Sequence, residues 1–432
     1  MSVPPANMRP VVLWGLFFAL LLSGCGVFEV GIERTSTPLP PTVTALPTPM
    51  ATATPTPFPG RLKPGQTVKI IRIHMLNRTK GWAVSQVETD LTDHILFTRD
   101  GGQSWQDRTP AAAILNQPPE GLSATTFFDV QGAAWVAYSA QRPGQPASPA
   151  PGVWRTGDEG ATWQLGQSFD ISGVQADFFS VAQLGFFDAQ HGWALAHLGA
   201  GMNHDYIAIF NTADAGQTWQ RVVDPARNPD LMACAKTGLS FSTSTNGWLT
   251  GDCPGLLPGL FFYTTTDSGQ SWQPVALMPP PDHAADFFSK GSPACGIPSL
   301  VYNSARATLL SVRCSSGEAG KALAWLYVSK DNGQPEARPL PAPFGSLTFS
   351  NPEEGWLVGS QQNDLAAPGS IYHSTDGGRT WTLVIVTAWQ GNADFVDANT
   401  GWVIAQSADK LALVLTVDGG KTWQALQPVI AP

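Results

Sequence analysis

Thr416-Val417-Asp418-Gly419-Gly420-Lys421-Thr422-Trp423 is the last copy of a phrase that recurs through most of the chain. Aligned on its aspartate, the phrase occurs at Asp100, Asp158, Asp214, Asp267, Asp331, Asp376 and Asp418. Two residues before each stands a hydroxyl (Thr98, Thr156, Thr212, Thr265, Ser329, Ser374, Thr416), and two after each a glycine. Six units run on through Ser or Thr to tryptophan, at Trp105, Trp163, Trp219, Trp272, Trp381 and Trp423. The fifth breaks off at Pro335-Glu336.

A second element precedes each box: Gly81-Trp82, Ala134-Trp135, Gly192-Trp193, Gly247-Trp248, Gly355-Trp356 and Gly401-Trp402, with Leu309 in the fifth unit. Twelve of the sixteen tryptophans therefore occupy two repeated slots, which makes them structural. One unit reads as strand A, a tight turn, strand B opening on Trp, a loop, strand C, the box, and strand D. Four strands recurring seven times at 42- to 64-residue spacing predict an all-β fold, a seven-bladed β-propeller of four-stranded antiparallel blades. In the C–D hairpin, Asp and the hydroxyls can tie down backbone N–H groups, Gly can take positive φ, and Trp packs between blades.

The phrase [ST]-x-Asp-x-Gly-x-[ST]-Trp resembles the Asp-box, or BNR repeat, of sialidases, the sortilin luminal domain and some xyloglucan hydrolases. Combined with the Gly-Trp element it is most similar to the photosystem II assembly and stability factor family. That resemblance covers about residues 66–432 and implies a seven-bladed propeller with a chaperone-like role on a membrane-protein segment. The family is expected to use a basic patch, whereas this sequence is acidic, at net charge −9, and shows no arginine cluster.

The N-terminus reads as a targeting segment. Arg9 precedes an apolar run at 11–22 (VVLWGLFFALLL), too short to span a bilayer comfortably. Leu22-Ser23-Gly24-Cys25 resembles a bacterial lipobox, against an ordinary secretory signal in which Cys25 is incidental. On the lipobox reading 1–24 is a signal peptide, Cys25 carries the lipid, and the protein is held at the cell membrane facing outside the cytoplasm. Residues 25–65 form a linker. Its 35–59 stretch is rich in Pro and Thr and carries no charge, so it favours extended conformations reaching roughly 80 Å. The propeller occupies 66–432, beginning near Thr67. On this phasing no strand is left to close the ring by exchange between the termini. A shift of one strand would instead send 67–77 into the last blade.

Cys234 with Cys253, and Cys295 with Cys314, are each 19 apart and flank the expected A–B turns of units four and five symmetrically. Two cross-strand disulfides are predicted, persisting in an oxidising compartment. A four-cysteine zinc site would want the Cys-x₂-Cys spacing that the chain lacks.

In a blade of this order the A–B turn and the box share one face, and the B–C loops and D–A connections share the other. The long insertions, 107–123, 140–152, 198–205, 221–234, 277–296 and 360–370, are all of the second kind, so recognition is expected there. The ligand-binding candidates are His204 and Asp205, near His191 and His197, and a second group of Asp282, His283 and Asp286. A metal at His204 and Asp205 stands against plain exposed side chains, because the spacing matches no ligand motif. Phe261-Phe262 and Phe287-Phe288 are either a contact patch or core.

A sialidase would need three arginines, a Tyr–Glu pair and an acid/base Asp. Ile71-Arg72-Ile73-His74 only echoes the Arg-Ile-Pro phrase of such families. Tyr263, Tyr327 and Tyr372 fall in strand C, leaving Tyr138, Tyr206 and Tyr302 without an evident Glu. A two-carboxylate glycosidase of xyloglucanase type would need a second propeller. No catalytic residue, metal or cofactor is assigned. The expected partner of this monomer is a protein or peptide at the cell envelope, with a glycan bound or hydrolysed as the alternative. Net charge −9 argues against nucleic acid and leaves the lipid anchor as the membrane contact.

Overall fold

The computed structural model describes residues 62–432 apart from 88–89, 115–120, 141–150, 203, 253–258, 289–293, 316–320, 332–333 and 409. Seven antiparallel sheets follow one another along it. Their first strands are Lys69–Met75, Leu122–Phe128, Ser180–Phe186, Ala235–Phe241, Cys295–Asn303, Phe344–Phe349 and Gln390–Phe395. Each first strand neighbours the first strand of an adjoining blade, so this set forms the inner ring and the box hairpins stand outside it. The fold is the seven-bladed propeller that the repeat predicts, in the phase that starts blade one at strand A.

Polar side chains stitch the inner ring. Thr125 Oγ1 donates to the Val181 carbonyl (2.6 Å), Gln183 Oε1 accepts from Leu239 N–H (2.8 Å), and Thr237 Oγ1 donates to the Ile297 carbonyl (2.7 Å). Asp394 of blade seven accepts from Met75 N–H of blade one at 2.6 Å.

Ring closure departs from expectation. The C-terminal residues Val429–Ile430 add a fifth strand to blade one, parallel to Ser104–Asp107, and Thr67 bridges Val429. A strand is therefore exchanged after all, on the outer edge. Ile430 is buried among Leu62, Trp105 and Leu426, so apolar burial as well as hydrogen bonding holds the closure.

The boxes share one geometry. Thr98 Oγ1 donates to Asp100 (2.9 Å) and accepts from Gly102 N–H (3.0 Å), while Asp100 accepts from the N–H and hydroxyl of Ser104 at 2.9 and 2.6 Å. The same set recurs at Asp158, Asp214, Asp267, Asp376 and Asp418. The glycine takes positive φ, +92° at Gly420, where a side chain would be strained. In six of the seven blades, the second being the exception, an N–H of the box then donates to the A–B turn of its own blade, as Gly101 does to Thr79 O and Gly419 to Asn399 O. Even the truncated box keeps this bond, from Asp331 N–H to Arg306 O.

Between blades the strand B indole lies over the last Phe of the next strand A, as in Trp135 on Phe186 (4.1 Å) and Trp356 on Phe395 (4.0 Å). Trp135 and Trp402 also donate Nε1–H to the carbonyl following the box aspartate of the next blade, at Ala215 and Gly101, both at 2.9 Å. Blade five has Leu309 in that slot. There the guanidinium of Arg338, from the outer strand, reaches the equivalent Gly377 carbonyl.

Blade five also carries the Cys295–Cys314 disulfide across its A–B hairpin. Cys234 is disulfide-bonded too, and Ala235 opposes Asp252 in the hairpin that leads to Cys253, which lies outside the described residues. Cys25, with the signal segment and most of the linker, also lies outside them.

Candidate functional site

The segment 198–205 is not an irregular loop. Strands Gly192–Gly201 and His204–Thr212 pair as far as Gly201 opposite His204, making a hairpin whose tip residue Met202 is 94% exposed. Strand alternation separates the two candidates there: His204 is exposed and Asp205 is buried. His204 stacks on Tyr206 with ring centres 6.0 Å apart, its Nδ1 lying 3.2 Å from the Met202 carbonyl.

Asp205 binds inward, 2.6 Å from His197 Nδ1 and accepting the Lys236 N–H at 3.0 Å. Burial works to raise its carboxyl, but the bonds from His197 and Lys236 outweigh it and hold the group below the usual range. Lys236 Nζ in turn donates to the carbonyls of Ala233 and Cys234, both at 2.7 Å, and lies 4.8 Å over the Phe261 ring. Burial lowers this ammonium to about 8, with Asp205 opposing the shift. The arrangement clamps the hairpin to blade four and commits both carboxylate oxygens of Asp205 to structural contacts.

In the second group, His283 sets its Nδ1 2.9 Å from the Pro281 carbonyl and its ring edge-on to Phe287 (4.4 Å) and Trp325 (5.3 Å). It packs as an aromatic side chain. Asp282 is exposed at φ 66°, and Asp286 is half-buried. The two groups belong to different blades, and each is tied locally. Among the described residues no set of three or more His, Cys, Asp or Glu is disposed to hold a metal. Phe262 is buried with Phe287 and Phe288 half-buried against the same cluster, while Phe261 is buried in the neighbouring cluster between blades three and four, so all four pack into the core. Tyr138 is buried, its hydroxyl donating to the Asp93 carbonyl at 3.2 Å, and burial pushes the phenol well up.

Two features escape the sequence. On the box face, Lys80 and Arg99 both bind Glu159 of the next blade, and Arg108 is close enough that Arg99 repels its charge. Dispersed positions thus gather into a mixed-charge group in which Glu159, Asp158 and Asp107 offset the three cations. On the long-loop face the exposed large apolar side chains are Leu91, Met202, Tyr206, Met278, Leu323 and Leu365, contributed by five of the blades and their connections. Beside Leu91 a cavity of about 750 Å³ opens at the closure seam between Val68, Val87, Leu411 and Pro428.

The profile of the BNR/Asp-box repeat matches residues 372–383. The chain is an Asp-box propeller. This propeller is 32% identical over 81 residues to the photosystem II assembly lipoprotein Ycf48 of Synechococcus sp. (strain CC9902), a stretch spanning 18% of this chain and 22% of that protein. The solved structure of YCF48 bound to D1 peptide superposes with a TM-score of 0.48 at 17% identity, covering 83% of this chain and 95% of that one. A polysaccharide lyase, the PL25 ulvan lyase, superposes at 0.44 and 10% identity, covering 85% and 96%.

Proposed function

We propose that this propeller is a non-catalytic binding module, held at the outer face of the cytoplasmic membrane by a lipid on Cys25, that recognises a segment of an envelope protein in an assembly role. The observation that carries the reading is the long-loop face, where six large apolar side chains stand exposed around the rim of a rigid ring. Exposed apolar side chains on a loop-rich face suit a protein partner that spans several blades, whereas glycan sites want carboxylates and aromatics converging on a channel. The carboxylates of the six complete boxes, and Asp205 and Asp394 besides, are already engaged by N–H groups, hydroxyls or imidazole. The local identity to an assembly lipoprotein supports the same role and the same tether.

The test is a pull-down from solubilised envelope with the full chain and with a Met202→Ser, Leu365→Ser double variant of unchanged melting temperature. A membrane protein retained by the wild type and lost by the variant supports the proposal. Equal capture by both baits overturns the assignment to this face. Retention on polysaccharide in place of protein would move the function to glycan recognition.

A further inference from the structure

The seam between blades three and four is built differently from the stacked seams at blades one–two, two–three and six–seven. Its strand B indole, Trp193, sits 6.5 Å from Phe241 and tilted by 41°, whereas Trp82, Trp135 and Trp356 stack on their partners at 5.3, 4.1 and 4.0 Å. The cause is one residue. Opposite the strand B tryptophan the first strand carries His74, Phe127, Ser240, Thr348 or Asp394, but here it carries Gly185. A Cβ at Gly185 would collide with the indole, so the missing side chain is what lets Trp193 swing down onto the inner strand.

The donor that Trp193 withdraws is replaced by Asn211, whose amide N–H bonds the Ser268 carbonyl after the box aspartate of blade four. Its Oδ1 is left buried without a hydrogen-bond partner. The vacated volume is a cavity of about 350 Å³ on the box face, away from the long loops. Phe187 and Trp193 give it apolar walls. Gln220 and Gln270 give it an exposed amide rim, and Asn211 and His191 also border it. No Asp, Glu, Lys or Arg lines it. His191 Nδ1 is held by Asp188 at 2.9 Å, which leaves Nε2 for a ligand.

We infer that this cavity is a binding site for a neutral sugar, one hydroxyl-rich ring of a glycan. A pyranose has an apolar face for the aromatic wall and an equator of hydroxyls for uncharged amides. A charged ligand would find no Asp, Glu, Lys or Arg in the lining and only an imidazole already paired with Asp188, and a wholly apolar one would strand the amide rim and the Asn211 oxygen. Asn211 Oδ1 would accept a sugar hydroxyl after a small side-chain adjustment. The site is separate from the long-loop face and does not depend on the protein-binding role proposed for it.

The experiment is saturation-transfer NMR on the full chain with methyl glycosides of glucose, galactose, mannose and N-acetylglucosamine at millimolar concentration. N-acetyl-phenylalanine amide is run alongside. The variants are Gly185→Ala, which returns Trp193 to the seam and closes the cavity, and Gln220→Ala on the exposed rim, which keeps the test open if the first misfolds. At least one glycoside is expected to bind, with affinity falling at least about tenfold in each folded variant, roughly 1.4 kcal/mol. Absence of binding by every glycoside overturns the inference. Binding that both variants leave intact does the same, as does preference for the phenylalanine amide.

Discussion

The guanidinium of Arg338 donates to the carbonyl of Gly377 and so performs in blade five the task that Trp402 performs for Gly101 at the ring closure. Arg338 is 4% exposed, and its other amino group binds Glu336. Removing it unpairs the carbonyl and opens the seam. Arg338→Met is expected to cost about 2 kcal/mol, within the range for a lost hydrogen bond to a charged group. Arg338→Lys should not rescue it, because a point ammonium cannot serve both acceptors at once. Urea midpoints of the two variants check this.

Ile430 supplies most of the apolar burial of the closing strand. Ile430→Ala should destabilise the protein by about 2–4 kcal/mol, as large-to-small core changes do. A surface change at exposed Val417 should cost less than about 0.5 kcal/mol. If the closing strand were ornamental, the two would melt alike in calorimetry.

The disulfide in blade five offsets a missing box tail and a missing tryptophan. Cys295→Ala/Cys314→Ala should lose about 2–4 kcal/mol, and hydrogen exchange should rise first in strands Cys295–Asn303 and Ala307–Ser315. Uniform loss of protection across all blades would contradict this.

Acid should act through the boxes. The hydroxyl and N–H of Thr422 pull Asp418 down to about 2, and Asp376 is likewise held at about 2 by Thr380 and Ser374 although burial works the other way. A carboxylate lower in the folded than in the unfolded state stabilises fully above its unfolded value, about 3.9, and that stabilisation disappears as pH falls through about 2. The melting temperature should therefore fall as pH drops between 4 and 2 (about the interval between the two states), modestly, because these carboxylates are solvent-exposed. Asp418→Asn should show a shallower drop.

Lys236 works at the other end of the scale. Burial lowers it to about 8 from an ordinary 10.5. Between those values the unfolded chain holds a proton that the folded chain has released, so this residue's contribution to stability rises with pH across the window. The difference in unfolding free energy between wild type and Lys236→Met, followed from pH 7 to 10.5 (about the span of the shift), should change in that direction.

Much of the architecture was legible in the chain itself because it rests on local chemistry repeated seven times. A hydroxyl, an aspartate and a glycine at fixed spacing make the same turn wherever they occur, and period and strand order follow. The Cys295–Cys314 pair was legible for the same reason, since the partners flank one hairpin. The site candidates fared otherwise. His204 and Asp205 are adjacent in sequence, yet strand alternation turns one outward and commits the other to His197 and Lys236. His283 is consumed by aromatic contacts that come from distant strands.

The sequence by itself determined the seven blades, the box geometry and the slots of the tryptophans, because each is decided within a few residues. Only the tertiary structure decided how the ring closes, which residue replaces an absent indole, and which cations meet at Glu159. It also decided that Gly185 opens a cavity between two blades. Those outcomes depend on groups brought together from different blades, and in the sequence nothing marks them as neighbours.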